Sequence, residues 1–237
     1  MVVRTLRPML RVISRHEWSG QQHLPATGGC VLAVNHISNF DPLVVSHYLV
    51  HAGRWPYFLA KASLFSVPGV RAILRGAEQI PVQRESAAAH QSLEAAYDAI
   101  ERGRVIVVYP EGTITADPDG WPMTAKSGVV RIALTTGCPV IPVGQWGAQK
   151  VLGMKSLALP RLVPRPMIKV AAGPPVDLDD LREQAISTAV LQEAGDRVMT
   201  AITDLVAMLR GEPAPAERFD YAAWKRQQDQ ERTSKPP

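Results

Sequence analysis

Cysteine is scarce in this chain, and the two that occur are far apart. Cys30 and Cys138 have neither CxxC spacing nor a Cys/His cluster around them, so the sequence offers no disulfide framework and no zinc site. Each cysteine adjoins an apolar segment, which favours the role of a small buried side chain. This usage fits a reducing compartment.

Long apolar runs are also missing. No stretch approaches the roughly 18–20 residues that a membrane-spanning helix needs. The N-terminus lacks the apolar core and the small-residue cleavage site of a secretory signal. We therefore expect neither a multi-spanning protein nor secretion by that route, although contact with a membrane surface stays open.

Charge of one sign is not in large excess. With 26 Lys+Arg against 22 Asp+Glu, the net charge is +4, which is too dilute for a nucleic-acid-binding surface. A mild basic excess still suits an anionic partner, such as a membrane surface or a phosphorylated substrate. The length of 237 residues and an apolar content of 46% predict a globular chain with a full core.

The two ends of the chain differ in pattern from its middle. Residues 2–15 predict an amphipathic helix whose arginines face away from its apolar side, which is typical of an interfacial anchor. The alternative is a helix that packs its apolar side on the core. We expect residues 1–18 to form a membrane-associating helix. Residues 211–237, rich in Pro, Lys, Arg and Gln, are expected to be weakly ordered.

Strand and helix patterns alternate between these ends. Apolar runs predict strands at 31–34, 55–60, 79–82, 105–109, 139–143 and 167–171, with helical patterns between most of them. Such alternation predicts an α/β fold with a mostly parallel central sheet flanked by helices.

A histidine and an aspartate flank the loop that follows the first of these strands. His36 and Asp41 are five residues apart, and Asp41-Pro42 predicts the start of a helix with Asp41 as its N-cap. Ligands of α/β folds usually bind at such strand ends. A carboxylate beside an imidazole fixes its tautomer and stabilises its charged form, so the pair predicts a general base. The alternative is a loop histidine beside a helix cap, since short motifs are unspecific.

A second polar loop, Tyr109–Thr113, follows another predicted buried strand. Gly112 permits close approach of a ligand to the backbone, and Thr113 supplies a hydroxyl and an N–H group. Glu111 could bind a substrate hydroxyl or hold an arginine. Arg84 ends a third strand, and its guanidinium matches phosphate oxygens. Taken singly, each also has an ordinary structural explanation as a turn glycine, a solvated glutamate or a surface arginine.

Four blocks in this order resemble the glycerolipid acyltransferases, the family of the 1-acylglycerol-3-phosphate (lysophosphatidic acid) acyltransferases. The resemblance covers roughly residues 20–150, and a segment that begins at Lys61 adds to it. The blocks are Asn35-His36-x4-Asp41, Gln79-Ile80-Pro81-Val82-Gln83-Arg84, Tyr109-Pro110-Glu111-Gly112-Thr113 and Val140-Ile141-Pro142-Val143.

The resemblance implies roles for the residues of these blocks. His36 would act as general base on the acceptor hydroxyl while that oxygen attacks the thioester of an acyl donor, and Asp41 would orient and stabilise the imidazole. The remaining residues would bind the acceptor, with Glu111 on the glycerol or on an arginine and the others near the phosphate: Arg84, Gly112, Thr113, Lys61 and Lys126.

The resemblance also implies a reaction and a setting. The chain would move a fatty acyl group from acyl-CoA or acyl carrier protein to the sn-2 hydroxyl of 1-acylglycerol-3-phosphate, giving phosphatidic acid for phospholipid biosynthesis. No cofactor or metal ion is expected. Residues 19–210 would form a glycerol-3-phosphate acyltransferase-like α/β domain, held peripherally at an anionic membrane surface on the cytoplasmic side.

One departure from the family pattern leaves alternatives open. Ile114-Thr115 stand where the family commonly has Arg-Ser, so one expected cation is missing. This favours considering another lyso-lipid or a glycolipid as acceptor. A non-catalytic lipid-binding homologue is a further alternative, which the presence of both His36 and Asp41 opposes.

Overall fold

The computed structural model describes residues 10–82, 88–154 and 163–233. Its described residues contain a seven-stranded sheet in the order β1-β7-β6-β2-β5-β3-β4. Neighbouring strands pair in parallel except β6 and β7, so β1 and β7 run opposite to the other five. The strands are β1 (Arg15–Ser19), β2 (Cys30–Val34), β3 (Pro56–Lys61), β4 (Ile80–Val82), β5 (Val105–Val108), β6 (Val140–Trp146) and β7 (Met167–Ala172).

The described helices flank this sheet. They are α1 (Asp41–His51), α2 (Val70–Gly76), α3 (Ala88–Glu101), α4 (Gly128–Thr136), α5 (Ala148–Val151), α6 (Asp179–Arg182), α7 (Thr188–Arg210) and α8 (Tyr221–Thr233). The architecture confirms the predicted α/β fold with a mostly parallel sheet.

Strand β2 lies at the centre of the sheet, between β5 and β6. All five of its residues are buried, as a strand covered on both faces requires. Val31 and Ala33 pack with α3, α4 and α7 on one face. Leu32 and Val34 pack with α1 and α5 on the other. The core therefore has two layers, and the loop after β2 emerges between them.

The N-terminal segment differs from the prediction of a helix through residue 18. Residues 10–13 are helical, but Arg15 begins β1, which pairs in parallel with β7. Leu10 is only 4% exposed and lies in the core beside α1, and Ile13 packs against the same cluster. The described end of the helix thus packs on the core. Residues 1–9, with most of the predicted anchor, lie outside the described residues.

The C-terminal segment contains the helix α8 (Tyr221–Thr233). The Asp220 side chain accepts hydrogen bonds from the N–H groups of Ala222 and Ala223, which caps the first turn of α8. Just before it, Phe219 pairs with Met123 in an isolated parallel bridge. The segment therefore makes a long-range contact with the domain, and the weak order expected for residues 211–237 stays a prediction.

Candidate active site

The loop after β2 and the start of α1 bring His36 and Asp41 together. Nδ1 of His36 lies 2.8 Å from Oδ2 of Asp41. The same oxygen accepts hydrogen bonds from the N–H groups of Ile37 at 2.7 Å and Ser38 at 2.9 Å. The Asp41 side chain is fully buried and that of His36 is 18% exposed. The imidazole is therefore fixed at one nitrogen while part of its ring reaches the surface.

Asp41 does not occupy the helix position that the sequence predicted. The N-cap of α1 is Phe40, and Asp41 is the first helical residue. Its carboxylate turns back into the preceding loop and binds the N–H groups of Ile37 and Ser38. The predicted His–Asp pair forms, but the N-cap assignment is wrong because the carboxylate serves the loop instead of the helix.

The contacts of His36 decide which ring nitrogen meets a substrate. Because Nδ1 faces Asp41, Nε2 is the nitrogen left for other partners, and no hydrogen bond to it forms among the described residues. Burial raises the pKa of Asp41, whereas its contacts with His36, Ser38 and Ile37 act in the opposite direction. Three donors at one oxygen suit an ionised carboxylate. Of the two neutral tautomers, this geometry selects the one that carries its proton on Nδ1 and accepts at Nε2, as a general base requires.

The Tyr109 ring supports the imidazole from the adjacent strand end. The two ring centroids are 4.2 Å apart and the planes are inclined by 19°. Tyr109 follows β5, which pairs in parallel with β2, so both loops leave the same edge of the sheet. Stacking restricts rotation of the His36 ring. The sequence placed Tyr109 in the second loop but gave no indication of this contact.

Glu111 ties three loops together. The side-chain atom Oε1 accepts a hydrogen bond from the His36 N–H at 2.8 Å, and Oε2 accepts one from the Met123 N–H at 3.0 Å. The residue is 1% exposed, and burial raises its pKa to about 8, although the His36 and Met123 donors oppose this. The sequence predicted contact with the acceptor or with an arginine. In this structure both carboxyl oxygens contact backbone instead.

Three hydrogen bonds between Asn35 and Gln145 join the end of β2 to β6. The Asn35 side chain donates to the Gln145 carbonyl at 3.1 Å and accepts from its N–H at 2.8 Å. The Gln145 side chain donates to the Asn35 carbonyl at 2.8 Å. Both residues are buried. Sequence reasoning missed this pair, although an isolated glutamine inside an apolar strand was a signal for it.

Lys126 lies against the glycine of the second loop. A Cβ atom added to Gly112 would lie 2.9 Å from Cδ of Lys126 and 3.1 Å from its Nζ, and Gly112 has a φ of 71°. The backbone N–H of Lys126 donates to the Pro110 carbonyl at 2.8 Å. The structure therefore brings Lys126 and Gly112 together, as predicted for one site, and Thr113 is the next residue in the same loop.

Lys61 and Arg84 are the other two predicted phosphate ligands. Lys61 is the last residue of β3, which pairs in parallel with β5, so its backbone lies at the same edge of the sheet. Arg84 lies outside the described residues.

In the described ranges, no group of three or more His, Cys, Asp or Glu side chains could hold a metal ion. No described helix has the length and hydropathy to cross a bilayer.

A comparison with protein families identifies the kind of protein to which this site belongs. The family model described as Acyltransferase matches residues 15–146, which is more than half of the 237 residues. This chain belongs to the acyltransferase family. The matched range spans β1 to β6 and contains both loops that carry His36, Asp41, Tyr109 and Glu111.

Two curated relatives are similar to part of this acyltransferase. It is 27% identical over 135 residues to the chloroplastic 1-acyl-sn-glycerol-3-phosphate acyltransferase BAT2 of Brassica napus. It is 22% identical over 134 residues to the chloroplastic 1-acyl-sn-glycerol-3-phosphate acyltransferase LPAT1 of Arabidopsis thaliana. These matches cover 56% of this chain but only 38% and 36% of the relatives.

A solved structure shares the fold of nearly the whole chain. The 1-acyl-sn-glycerophosphate (LPA) acyltransferase PlsC from Thermotoga maritima superposes with a TM-score of 0.67 at 22% identity. The match covers 90% of this chain and 82% of that one. The structural likeness therefore covers more of the chain than the family model does.

Proposed function

We propose that this acyltransferase moves a fatty acyl group from acyl-CoA or acyl carrier protein to the sn-2 hydroxyl of 1-acylglycerol-3-phosphate, giving phosphatidic acid. The observation that carries the proposal is the pair His36–Asp41, joined at 2.8 Å at the carboxyl end of a central parallel strand. The names of the relatives support the choice of acceptor.

The proposed reaction needs one base and no enzyme nucleophile. Nε2 of His36 takes the proton of the acceptor hydroxyl as that oxygen forms a bond to the thioester carbonyl carbon. The tetrahedral intermediate then collapses, the C–S bond breaks, and the imidazolium returns its proton to the leaving thiolate. Asp41 stabilises the imidazolium between these steps. The products are the new ester and a free thiol, and no metal ion or cofactor takes part.

The acceptor phosphate is proposed to bind at the end of β5. Gly112 and Thr113 lie there, the Gly112 N–H donates to the Tyr109 carbonyl at 3.0 Å, and the Lys126 ammonium lies over Gly112. Lys61 and Arg84 are proposed as further cations on the basis of sequence alone. We assign Glu111 a different role, as a positioning residue that holds the His36 backbone. A membrane-resident acceptor also implies peripheral contact with an anionic membrane on the cytoplasmic side.

A second acceptor class is favoured by one local observation. Ile114 is half-buried, and the neighbouring Thr115 is buried with its hydroxyl bonded to the Trp121 carbonyl at 2.7 Å. Neither residue supplies the cation that the family pattern places here. Another lyso-lipid or a glycolipid acceptor would need less positive charge at this position.

The first prediction is that replacing His36 abolishes turnover and leaves the fold intact. With labelled acyl-CoA or acyl carrier protein and a panel of lyso-lipid acceptors, we expect His36→Ala to lower kcat by about 10²- to 10⁴-fold. The matched control is His23→Ala, a half-buried histidine that follows β1. Activity of a folded His36→Ala protein near that of the wild type would overturn the general-base assignment.

A further inference from the structure

Three described segments enter or leave the sheet at the edge that carries His36, which we call the site edge. Residues 62–76 follow the carboxyl end of β3, and their last turn leads back toward the opposite edge, where the Arg75 carbonyl accepts from the Glu78 N–H at 3.0 Å. Residues 10–14 precede β1 and residues 163–166 precede β7. Because β1 and β7 run opposite to β2 and β5, these last two segments also lie at the site edge.

Exposed large apolar side chains concentrate on these segments. Trp55 and Ile186, by contrast, lie toward the opposite edge, near the start of β3 and before α7, and Met208 lies on α7. Leu64, Val67 and Val70 lie close together in sequence, and clustered apolar exposure commonly marks an interaction site. The side chains at the site edge are Val12 at 70%, Leu64 at 42%, Val67 at 44%, Val70 at 37% and Val163 at 91% exposed.

The charge of these segments has a single sign. They contain no aspartate or glutamate, and the chain has no acidic residue between Asp41 and Glu78. Several described ion pairs lie at the opposite edge, among them Arg104–Glu78 and Arg197–Asp180. The basic residues of the three segments are Arg11, Arg71, Arg75 and Arg165.

Residues 62–76 contribute most of this surface. Arg71 and Arg75 are exposed and stand four residues apart on α2, so they share one face of the helix. Neither forms an ion pair with another described residue. Leu64 and Val67 lie just before the helix. Apolar side chains therefore stand beside unpaired guanidinium groups.

We propose that the site edge, centred on residues 62–76, docks on the headgroup layer of an anionic phospholipid bilayer. Apolar side chains enter the boundary between headgroups and acyl chains, and arginines meet lipid phosphates, as at other interfacial surfaces. This inference rests on the proposed function, because it makes the bilayer the source of the acceptor. Docking turns the exposed part of His36 toward the lipid, so an acceptor reaches it without leaving the membrane.

Vesicle sedimentation of the full chain tests this surface directly. We expect binding to vesicles of phosphatidylcholine mixed with phosphatidylglycerol, and much weaker binding to phosphatidylcholine alone. Since a basic residue near an anionic surface strengthens binding about fivefold, Arg71→Gln should weaken it by about fivefold. Leu64→Asp with Val67→Asp should also weaken it. The controls are Arg226→Gln on α8 and Ile186→Asp at the opposite edge, with thermal unfolding to confirm that each variant folds.

An activity assay separates this inference from the proposed function. With water-soluble, short-chain donor and acceptor, the surface variants should keep the kcat of the wild type, whereas activity on vesicle-embedded acceptor should fall with binding. The vesicle result without acyl transfer on either substrate would leave docking intact and refute the proposed reaction. Absent vesicle binding, equal loss in the controls, or a dimer that the Leu64 and Val67 variants dissociate would overturn the docking proposal.

Discussion

The Asp41 carboxylate orients the general base through its charge as well as its position. In Asp41→Asn, the amide oxygen can take the place of Oδ2 and still accept from Ile37, Ser38 and Nδ1 of His36. The neutral amide cannot stabilise the imidazolium that forms when His36 takes the proton, so His36 becomes a weaker base. We expect kcat to fall by about 10²- to 10⁴-fold with little change in KM. Steady-state kinetics with a thermal unfolding control measures this, and a kcat within a few-fold of wild type would contradict it.

The raised pKa of Glu111 leads to a separate prediction about how the free energy of unfolding depends on pH. Burial raises its pKa from 4.5 to about 8. Between pH 4.5 and about pH 8, Glu111 is therefore protonated in the folded state and ionised in the unfolded state. This contribution to stability is fully present below pH 4.5 and is lost as pH rises through about 8. We expect Glu111→Gln to flatten the fall in unfolding free energy over this range.

Denaturant unfolding at about pH 5 and about pH 8.5 measures this slope. Glu217→Gln, at an exposed glutamate, is the matched control and should keep the wild-type slope. Equal slopes in wild type and Glu111→Gln would show that Glu111 does not carry the pH dependence.

The sequence predicted contacts between residues that are close in the chain and missed contacts between residues that are far apart in it. His36 and Asp41 are close in the chain, and a strand followed by Asp-Pro predicted that they meet. Tyr109 and Gln145 contact the same loop from strands far along the chain. Their contacts depend on β5 and β6 being the neighbours of β2, which the local pattern does not specify.

Among the elements, those with strong local signals were predicted and those that depend on tertiary pairing were not. Strands β2 and β5 are continuous apolar runs. Strand β1 alternates exposed and half-buried residues and forms because it pairs with β7. Its own residues carry no strong strand pattern, and the sequence therefore predicted that most of them belong to the N-terminal helix. After β7 the chain forms two separate helices, α6 and α7, since Ser187 caps a new helix by accepting from the Val190 N–H.

Across the whole molecule, a series of contacts connects the C-terminal segment to the general base. The Thr124 N–H donates to the Phe219 carbonyl at 3.1 Å. Glu111 binds the N–H of the neighbouring Met123 and that of His36. Nearby, the Arg210 guanidinium lies 3.9 Å from the centre of the Trp121 ring. The segment after α7 therefore holds the loop on which Glu111 depends.

Two truncations test whether this connection positions His36. Removal of residues 212–237 deletes Phe219, and we expect kcat to fall by up to about 100-fold through misplacement of the base, with a smaller change in KM. Removal of residues 221–237 keeps Phe219 and is the matched control, which should retain most activity. In a His36→Ala background the longer truncation should have no further effect, because no base remains to misplace. A longer truncation that raises KM alone, or one that lowers the His36→Ala rate equally, would show that the segment acts on substrate binding or on overall stability instead of on the imidazole.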